Sequence, residues 1–101
     1  MIIYNITTKI EHSVAISWLH WLKEEYIPAM LETGCFTHAI ILHLAEADDE
    51  EGLTYAVQYH AENNDRYNFY VENFDDAMRE KAIKKWGNKF ISFRTMMRLV
   101  N

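Results

Sequence analysis

Apolar and polar residues alternate over residues 2–10, and this pattern predicts a first strand with one apolar face. Apolar residues then recur at helical spacing over residues 15–30. That spacing predicts a helix with an N-cap at Ser13 and an end at Gly34. Pro28 lacks a backbone N–H and clashes with the preceding turn, so the helix is expected to kink or restart just before it.

Two further alternating segments, residues 36–46 and 53–61, predict a β-hairpin. The connection between them, residues 48–52, is acidic and ends in glycine, which is typical of a solvated turn. Strands that are joined in this way are neighbours in a sheet and run antiparallel.

A second helix is predicted over residues 65–86 from the spacing of its aromatic and aliphatic residues. Asn63 or Asn64 is expected to be its N-cap, since a side-chain amide oxygen can accept a hydrogen bond from the first turn. Asn73 or Asp75 could cap a new helical segment and so divide this helix in two.

Gly87 is expected to end the second helix, and a last alternating segment, residues 90–99, predicts a fourth strand. The order β-α-β-β-α-β is typical of a ferredoxin-like α+β fold, in which two helices cover one face of a four-stranded antiparallel sheet. Right-handed connections give the strand order 4-1-3-2. Residues 1–101 are therefore predicted to form a single domain.

The alternation also predicts which residues of the sheet face away from the helices. Strand residues 2–10, 38–44, 53–61 and 91–99, taken in steps of two, are expected to lie under the helices. The other face would carry polar residues, namely Asn5, Thr7, Lys9, Thr37, His43, Thr54, Gln58, His60, Ser92 and Arg94. It would also carry apolar ones, namely Ile3, Ala39, Ile41, Ala56, Phe90 and Met96. An exposed patch of that size is unusual, so we expect a second surface to cover it.

The charge and cysteine content exclude several kinds of partner. Ten Lys and Arg residues against 15 Asp and Glu residues give a net charge of −5, which disfavours binding to nucleic acid or to an anionic membrane surface. Cys35 is the single cysteine, so no internal disulfide can form. The sequence begins without a secretory signal and has no apolar stretch long enough to span a membrane. These features predict a cytoplasmic protein.

Four segments resemble the domain-of-unknown-function family 4286: the start Met-Ile-Ile-Tyr-Asn-Ile-Thr and residues 18–28, 52–59 and 93–95. The likeness extends over nearly the whole chain. Proteins of this kind are grouped with the dimeric α/β-barrel superfamily, in which two sheets pack face to face. The resemblance therefore implies a homodimer, and it implies no activity because none is attached to the family name.

Asn5, Gln58, His60 and Arg94 are the main candidate site, since all four are predicted on the non-helix face of adjacent strands. In this hypothesis His60 and Arg94 are catalytic, because a neutral imidazole beside a guanidinium can act as a base. Further ligand-binding candidates on the same face are Thr7, His43 and Ser92. The alternative is that these residues form hydrogen bonds across a dimer interface.

His20 and Trp21 lie toward the polar side of the first predicted helix and are candidates for docking a protein partner. The alternative is that Trp21 packs at the edge of the core.

The histidines lack the spacing of a metal site, and no phosphate-binding loop or nucleophile motif is present, so neither a metal nor a cofactor is predicted. Some proteins of the superfamily degrade haem with an Asn on strand one, a Trp on strand three and a His on the second helix. Asn5 matches the first, but residues 53–61 contain no Trp and residues 65–86 contain no His. The resemblance therefore does not extend to haem degradation.

The sequence predicts a homodimeric binding or regulatory domain that holds a small organic ligand, or only its second copy, through the sheet face. The second hypothesis, which the superfamily resemblance implies, is a cofactor-independent monooxygenase or isomerase of the dimeric α/β-barrel type. It would act on a hydrophobic or aromatic metabolite, with His60 as the base and Arg94 or Asn5 stabilising negative charge. The third is a protein-docking subunit that uses Trp21.

Overall fold

One antiparallel sheet of four strands forms the base of the structure, a computed structural model that describes residues 1–48 and 50–101. The strands are β1 (Ile2–Ile10), β2 (His38–His43), β3 (Leu53–Ala61) and β4 (Phe90–Arg98). Their spatial order is β2-β3-β1-β4, which has the same neighbours as the predicted order 4-1-3-2 counted from the opposite edge. The predicted α+β fold with a four-stranded antiparallel sheet is confirmed. Asp49, in the predicted acidic connection, lies outside the described residues.

The first predicted helix is divided by a π-helical turn. It consists of α1 (Ala15–Trp21), a π-helical segment (Leu22–Tyr26) and α2 (Ile27–Glu32). Pro28 lies in the first turn of α2, where its missing N–H leaves no helical hydrogen bond broken. The predicted cap at Ser13 is wrong, because Ser13 lies inside a 3₁₀ turn and α1 has no side-chain cap within the described residues.

The second predicted helix is also divided, into α3 (Asn64–Asn73) and α4 (Asp75–Trp86). Asn63 caps α3, since its side chain accepts a hydrogen bond of 3.0 Å from the Arg66 backbone N–H. The break falls at Phe74, whose backbone leaves the helical region at φ −129°. Gly34 and Gly87 follow the ends of α2 and α4 at φ 78° and 58°, conformations that suit glycine.

The register of the sheet corrects the predicted faces of two strands. Tyr4 of β1 lies opposite Tyr59 of β3, as the alternation predicts. On the same face, however, Tyr59 is opposite Ala39 of β2 and Tyr4 is opposite Met96 of β4. The faces predicted for β2 and β4 are therefore inverted, and the placement of three site candidates on the non-helix face is wrong: His43, Ser92 and Arg94.

A physical reason for this error lies in the composition of the two outer strands. Both β2 and β4 have large apolar residues on each side, as Ile40 and Ile41 illustrate, so alternation does not fix which side faces the helices. A slip of one residue moves every side chain to the opposite face. Pairing with the central strands sets the register instead.

Helices from both halves of the chain, α1 and α3, contact the same face of the sheet through aromatic rings. The Tyr4 ring of β1 lies 5.5 Å from Tyr70 of α3 and 6.1 Å from Phe36, measured between ring centroids. At the other end of the sheet, Trp18 of α1 lies 5.5 Å from Tyr55 of β3. The core is thus enclosed between the helices and one sheet face, and the other face has no helix of the described chain over it.

Candidate functional site

The sheet face that points away from the helices carries several large apolar side chains, and we call it the open sheet face. Its larger apolar side chains are Ile3, Ile40, Leu42, Ile91, Phe93 and Met97. Ile91 is 73% exposed and Phe93 is 63% exposed, which is unusual for side chains of this size. Because β2 and β4 are inverted relative to the prediction, this face is more apolar than the sequence analysis suggests.

The centre of the open sheet face is polar. Asn5 and Gln58 are directly opposite each other on β1 and β3, and Thr7 lies beside them on β1. Asn5 is buried and donates a hydrogen bond of 3.0 Å to the Thr7 hydroxyl. The side-chain amide oxygen of Asn5, Oδ1, is buried and has no hydrogen-bond partner among the described residues, although buried polar atoms are normally paired.

His60 borders this polar centre and stacks on His38 of β2. The two imidazole rings are 4.2 Å apart and nearly parallel. Burial lowers the pKa of His60, and the neighbouring His38 lowers it further, so the neutral form is favoured. Its Nε2 atom is buried without a partner in the described part of the chain. The structure thus brings together four of the predicted residues: Asn5, Thr7, Gln58 and His60.

Arg94 lies on the opposite side of the sheet from His60, in a partly buried polar network. It donates hydrogen bonds to the Asp75 carboxylate and, at 3.1 Å, to the Tyr4 hydroxyl. The Tyr4 hydroxyl in turn donates to Asp75 at 2.7 Å. Burial raises the pKa of Tyr4, and the hydrogen bond to Tyr4 is the main cause of the raised pKa of Arg94. Arg94 therefore cannot act with His60 on one substrate.

A cleft of about 390 Å³ opens beside this network, on the helix side of the sheet between α1, the π-helical segment, α4 and β4. We call it the helix-side cleft. Its lining residues include Trp18, Trp21, Tyr26, Tyr59, Arg79, Phe90 and Arg94. Ser92 also lines it, whereas His43 lies elsewhere on the helix side, with its ring 5.2 Å from Tyr55.

Trp21 is not an exposed docking residue. It is only 8% exposed, and its ring lies 4.7 Å from Tyr26 and 5.7 Å from Trp86 of α4. The sequence pattern predicts the sheet as the only surface that packs against this helix. In the structure Trp86 of α4 also packs against Trp21, so a second side of α1 is covered. His20 stays exposed, 3.8 Å from Glu24. The structure therefore separates the two residues that were predicted to form one docking surface.

Sequence analysis missed Tyr59, Asp75 and Arg79 as site residues. A signal for Asp75 was available, since this acidic residue precedes Met78 by three positions and therefore falls on the apolar stripe of the helix. A carboxylate on such a stripe needs a buried partner. The sequence offers no means of finding that partner, because Arg94 is 19 residues away on a strand whose face was ambiguous.

Comparison with protein families gives a match over nearly the whole chain. The model of the family described as a domain of unknown function, DUF4286, matches residues 1–100. The chain belongs to the DUF4286 family. No curated protein and no solved structure matches it significantly.

The described part of this DUF4286 chain has neither a candidate membrane-spanning helix nor a candidate metal-binding cluster. No helix in it is long and apolar enough to cross a membrane. No group of three or more His, Cys, Asp and Glu side chains in it is close enough to hold a metal ion.

Proposed function

We propose that this DUF4286 chain functions as a homodimeric domain in which two copies pack open sheet face against open sheet face. The observation that carries the proposal is the exposure of Ile91, Phe93 and Leu42, which are 73%, 63% and 45% exposed on one continuous face. Four strands at a spacing of ~4.8 Å and up to nine residues long present roughly 500–600 Å². The projecting side chains add to this flat area, so the total surface approaches the ~800 Å² per partner of a standard interface.

The charges of the chain favour a second copy as the occupant. Two chains with a net charge of −5 repel each other in general. The open sheet face escapes this repulsion, because its described residues include no carboxylate and Lys9 is its one residue with a fixed charge. A face that pairs with itself about a twofold axis needs to avoid like charges, and this face does.

The polar centre also fits a self-paired face. Asn5 Oδ1 and His60 Nε2 are buried and lack partners among the residues described for a single chain. An unsatisfied buried polar atom costs about 1–3 kcal/mol. A second copy would bring the same set of amide, hydroxyl and imidazole groups to this surface, so that hydrogen bonds across the interface could satisfy both.

The two alternatives to a binding dimer fit the geometry less well. A monooxygenase or isomerase that uses His60 as base and Arg94 as cation would need both on one face, and the sheet separates them. Docking of another protein through Trp21 would need an exposed ring, and this ring is buried.

Sedimentation velocity over a concentration series tests the proposal with the variant Phe93→Thr, which keeps a residue suited to strands. A Phe side chain has roughly 200 Å² of surface, of which 63% is available for burial here. At ~25 cal/mol per Å² this gives about 3 kcal/mol per protomer and about 6 kcal/mol per dimer as an upper estimate. We therefore expect the dimer Kd to rise at least about a hundredfold.

Ile16→Thr is the matched control, since Ile16 on α1 is 77% exposed but lies on the helix side. It should leave the dimer Kd unchanged. A wild-type chain that is monomeric at about 10 μM, a concentration at which an interface of this size is normally occupied, would overturn the proposal. Equal Kd values for Phe93→Thr and Ile16→Thr would also overturn it.

A further inference from the structure

The helix-side cleft has apolar, aromatic walls. Trp18 and Trp21 of α1 and Phe90 of β4 line it, and its volume of about 390 Å³ falls in the range of small-molecule sites. The walls suit a planar or aliphatic body of about ten to fifteen heavy atoms.

One buried hydroxyl group in the cleft has no hydrogen-bond partner in the described fold. Tyr59 lines the cleft, is 0% exposed and makes no hydrogen bond to any described residue. Tyr26, its neighbour in the cleft, is satisfied, since its hydroxyl donates to the Met78 carbonyl at 3.1 Å. Burial raises the pKa of Tyr59, so its hydroxyl stays protonated and can donate to an acceptor.

The charged groups that line the cleft are cationic. Arg94 and Arg79 both line it and both approach the same carboxylate, Asp75, so their guanidinium groups lie at one end. Asp75 itself is not among the described residues that line the cleft. Two arginines against one aspartate leave one net positive charge beside an apolar chamber.

From these observations we propose that the helix-side cleft binds a small aromatic monocarboxylate. Its ring would lie against Trp18, Trp21 and Phe90, and its carboxylate would accept hydrogen bonds from Tyr59 and from the arginines. A single negative charge balances the one net positive charge, whereas a phosphate would bring a second charge with no partner. Ile91 and Phe93 of β4 line the cleft and also belong to the open sheet face, whereas Tyr59 and Arg79 do not belong to that face, so variants of these two residues test the inference separately from the proposed dimer.

Binding of 3-phenylpropanoate, measured by the change in tryptophan fluorescence, tests the inference, because two of the three tryptophans line the cleft. We expect saturable binding with a Kd below about 1 mM. The neutral amide, 3-phenylpropanamide, has the same shape and should bind at least about tenfold more weakly, since hydrogen bonds to a charged group are the stronger ones.

Two conservative variants assign the polar contacts. Tyr59→Phe removes only the free hydroxyl and should raise the Kd of the acid about tenfold while leaving the Kd of the amide less changed. Arg79→Gln should raise the Kd of the acid about threefold, the smaller effect of a half-exposed charge. Lys81→Gln is its matched control on α4, because Lys81 is exposed and is not a lining residue.

Several results would overturn the inference. Absence of a saturable fluorescence change up to about 10 mM acid would do so, because the expected Kd is lower. So would equal affinity for the acid and the amide, or an unchanged Kd in Tyr59→Phe. If Arg79→Gln and Lys81→Gln changed the Kd of the acid equally, the positive charge of Arg79 would act on the ligand only at long range. That result would contradict a direct contact between Arg79 and the carboxylate.

Discussion

Removal of the Asp75 side chain should destabilise the fold more than removal of any other side chain of similar size. It is 3% exposed at the start of α4 and accepts hydrogen bonds from Tyr4 of β1 and Arg94 of β4. It therefore connects the helical layer to two neighbouring strands. Asp75→Ala would leave the buried Tyr4 hydroxyl without its acceptor and Arg94 without its counter-ion.

The expected cost follows from the two contacts. The hydrogen bond from Tyr4 to the carboxylate is buried and is worth about 1.5–3 kcal/mol. The ion pair with Arg94 is discounted to about 1 kcal/mol, because the Arg94 side chain is 35% exposed and solvent screens it. Asp75→Ala should therefore lower the free energy of unfolding by about 2.5–4 kcal/mol, and the Tm of a chain of this size by roughly 10–30 °C.

Urea unfolding followed by circular dichroism measures this loss, at one protein concentration for every variant because a dimer adds stability by mass action. Asp76→Ala is the matched control. Asp76 is the exposed neighbour in the same first turn of α4, so its loss removes a similar helix-terminus interaction, worth about 0.3–1 kcal/mol. If the two variants differ by less than about 1 kcal/mol, the network is not the stabilising unit described here.

Two further predictions concern pH and backbone packing. The pKa of His60 is lowered from its ordinary value of 6.5, so below that pH the folded state binds fewer protons than the unfolded state. The contribution of neutral His60 to the free energy of unfolding is therefore fully present above pH 6.5 and is lost as the pH falls toward the lowered pKa. His60→Gln should flatten this dependence in unfolding curves between about pH 5 and 7, whereas a variant of exposed His20 that flattened it equally would refute the assignment. Gly52→Ala should lower the free energy of unfolding by about 2 kcal/mol or more, because a Cβ there would lie 2.4 Å from the Ile10 carbonyl oxygen. Thermal melting would detect this loss, and a Tm within about 2 °C of wild type would contradict it.

Strong local signals in the sequence predicted the elements of the fold. The alternation in β1 and β3 predicted their bounds and faces correctly, because nearly all the large apolar residues of each strand lie on one side, with Ile3 as the exception. The helix ends at Gly34 and Gly87 followed from backbone conformations that suit glycine. The resemblance of four short segments to the DUF4286 family is confirmed by the family match over residues 1–100.

Only the tertiary structure decided which face of β2 and β4 meets the helices. Local alternation could not settle it, because both strands are apolar on each side and their register depends on hydrogen bonds to strands distant in sequence. This one choice moved Arg94 from the predicted site with His60 to a partly buried ion pair with Asp75, and it placed Phe93 on the open sheet face. Pairing over long sequence separation, which carries no local signature, thus determined the candidate sites of this protein, while short-range periodicity determined its elements.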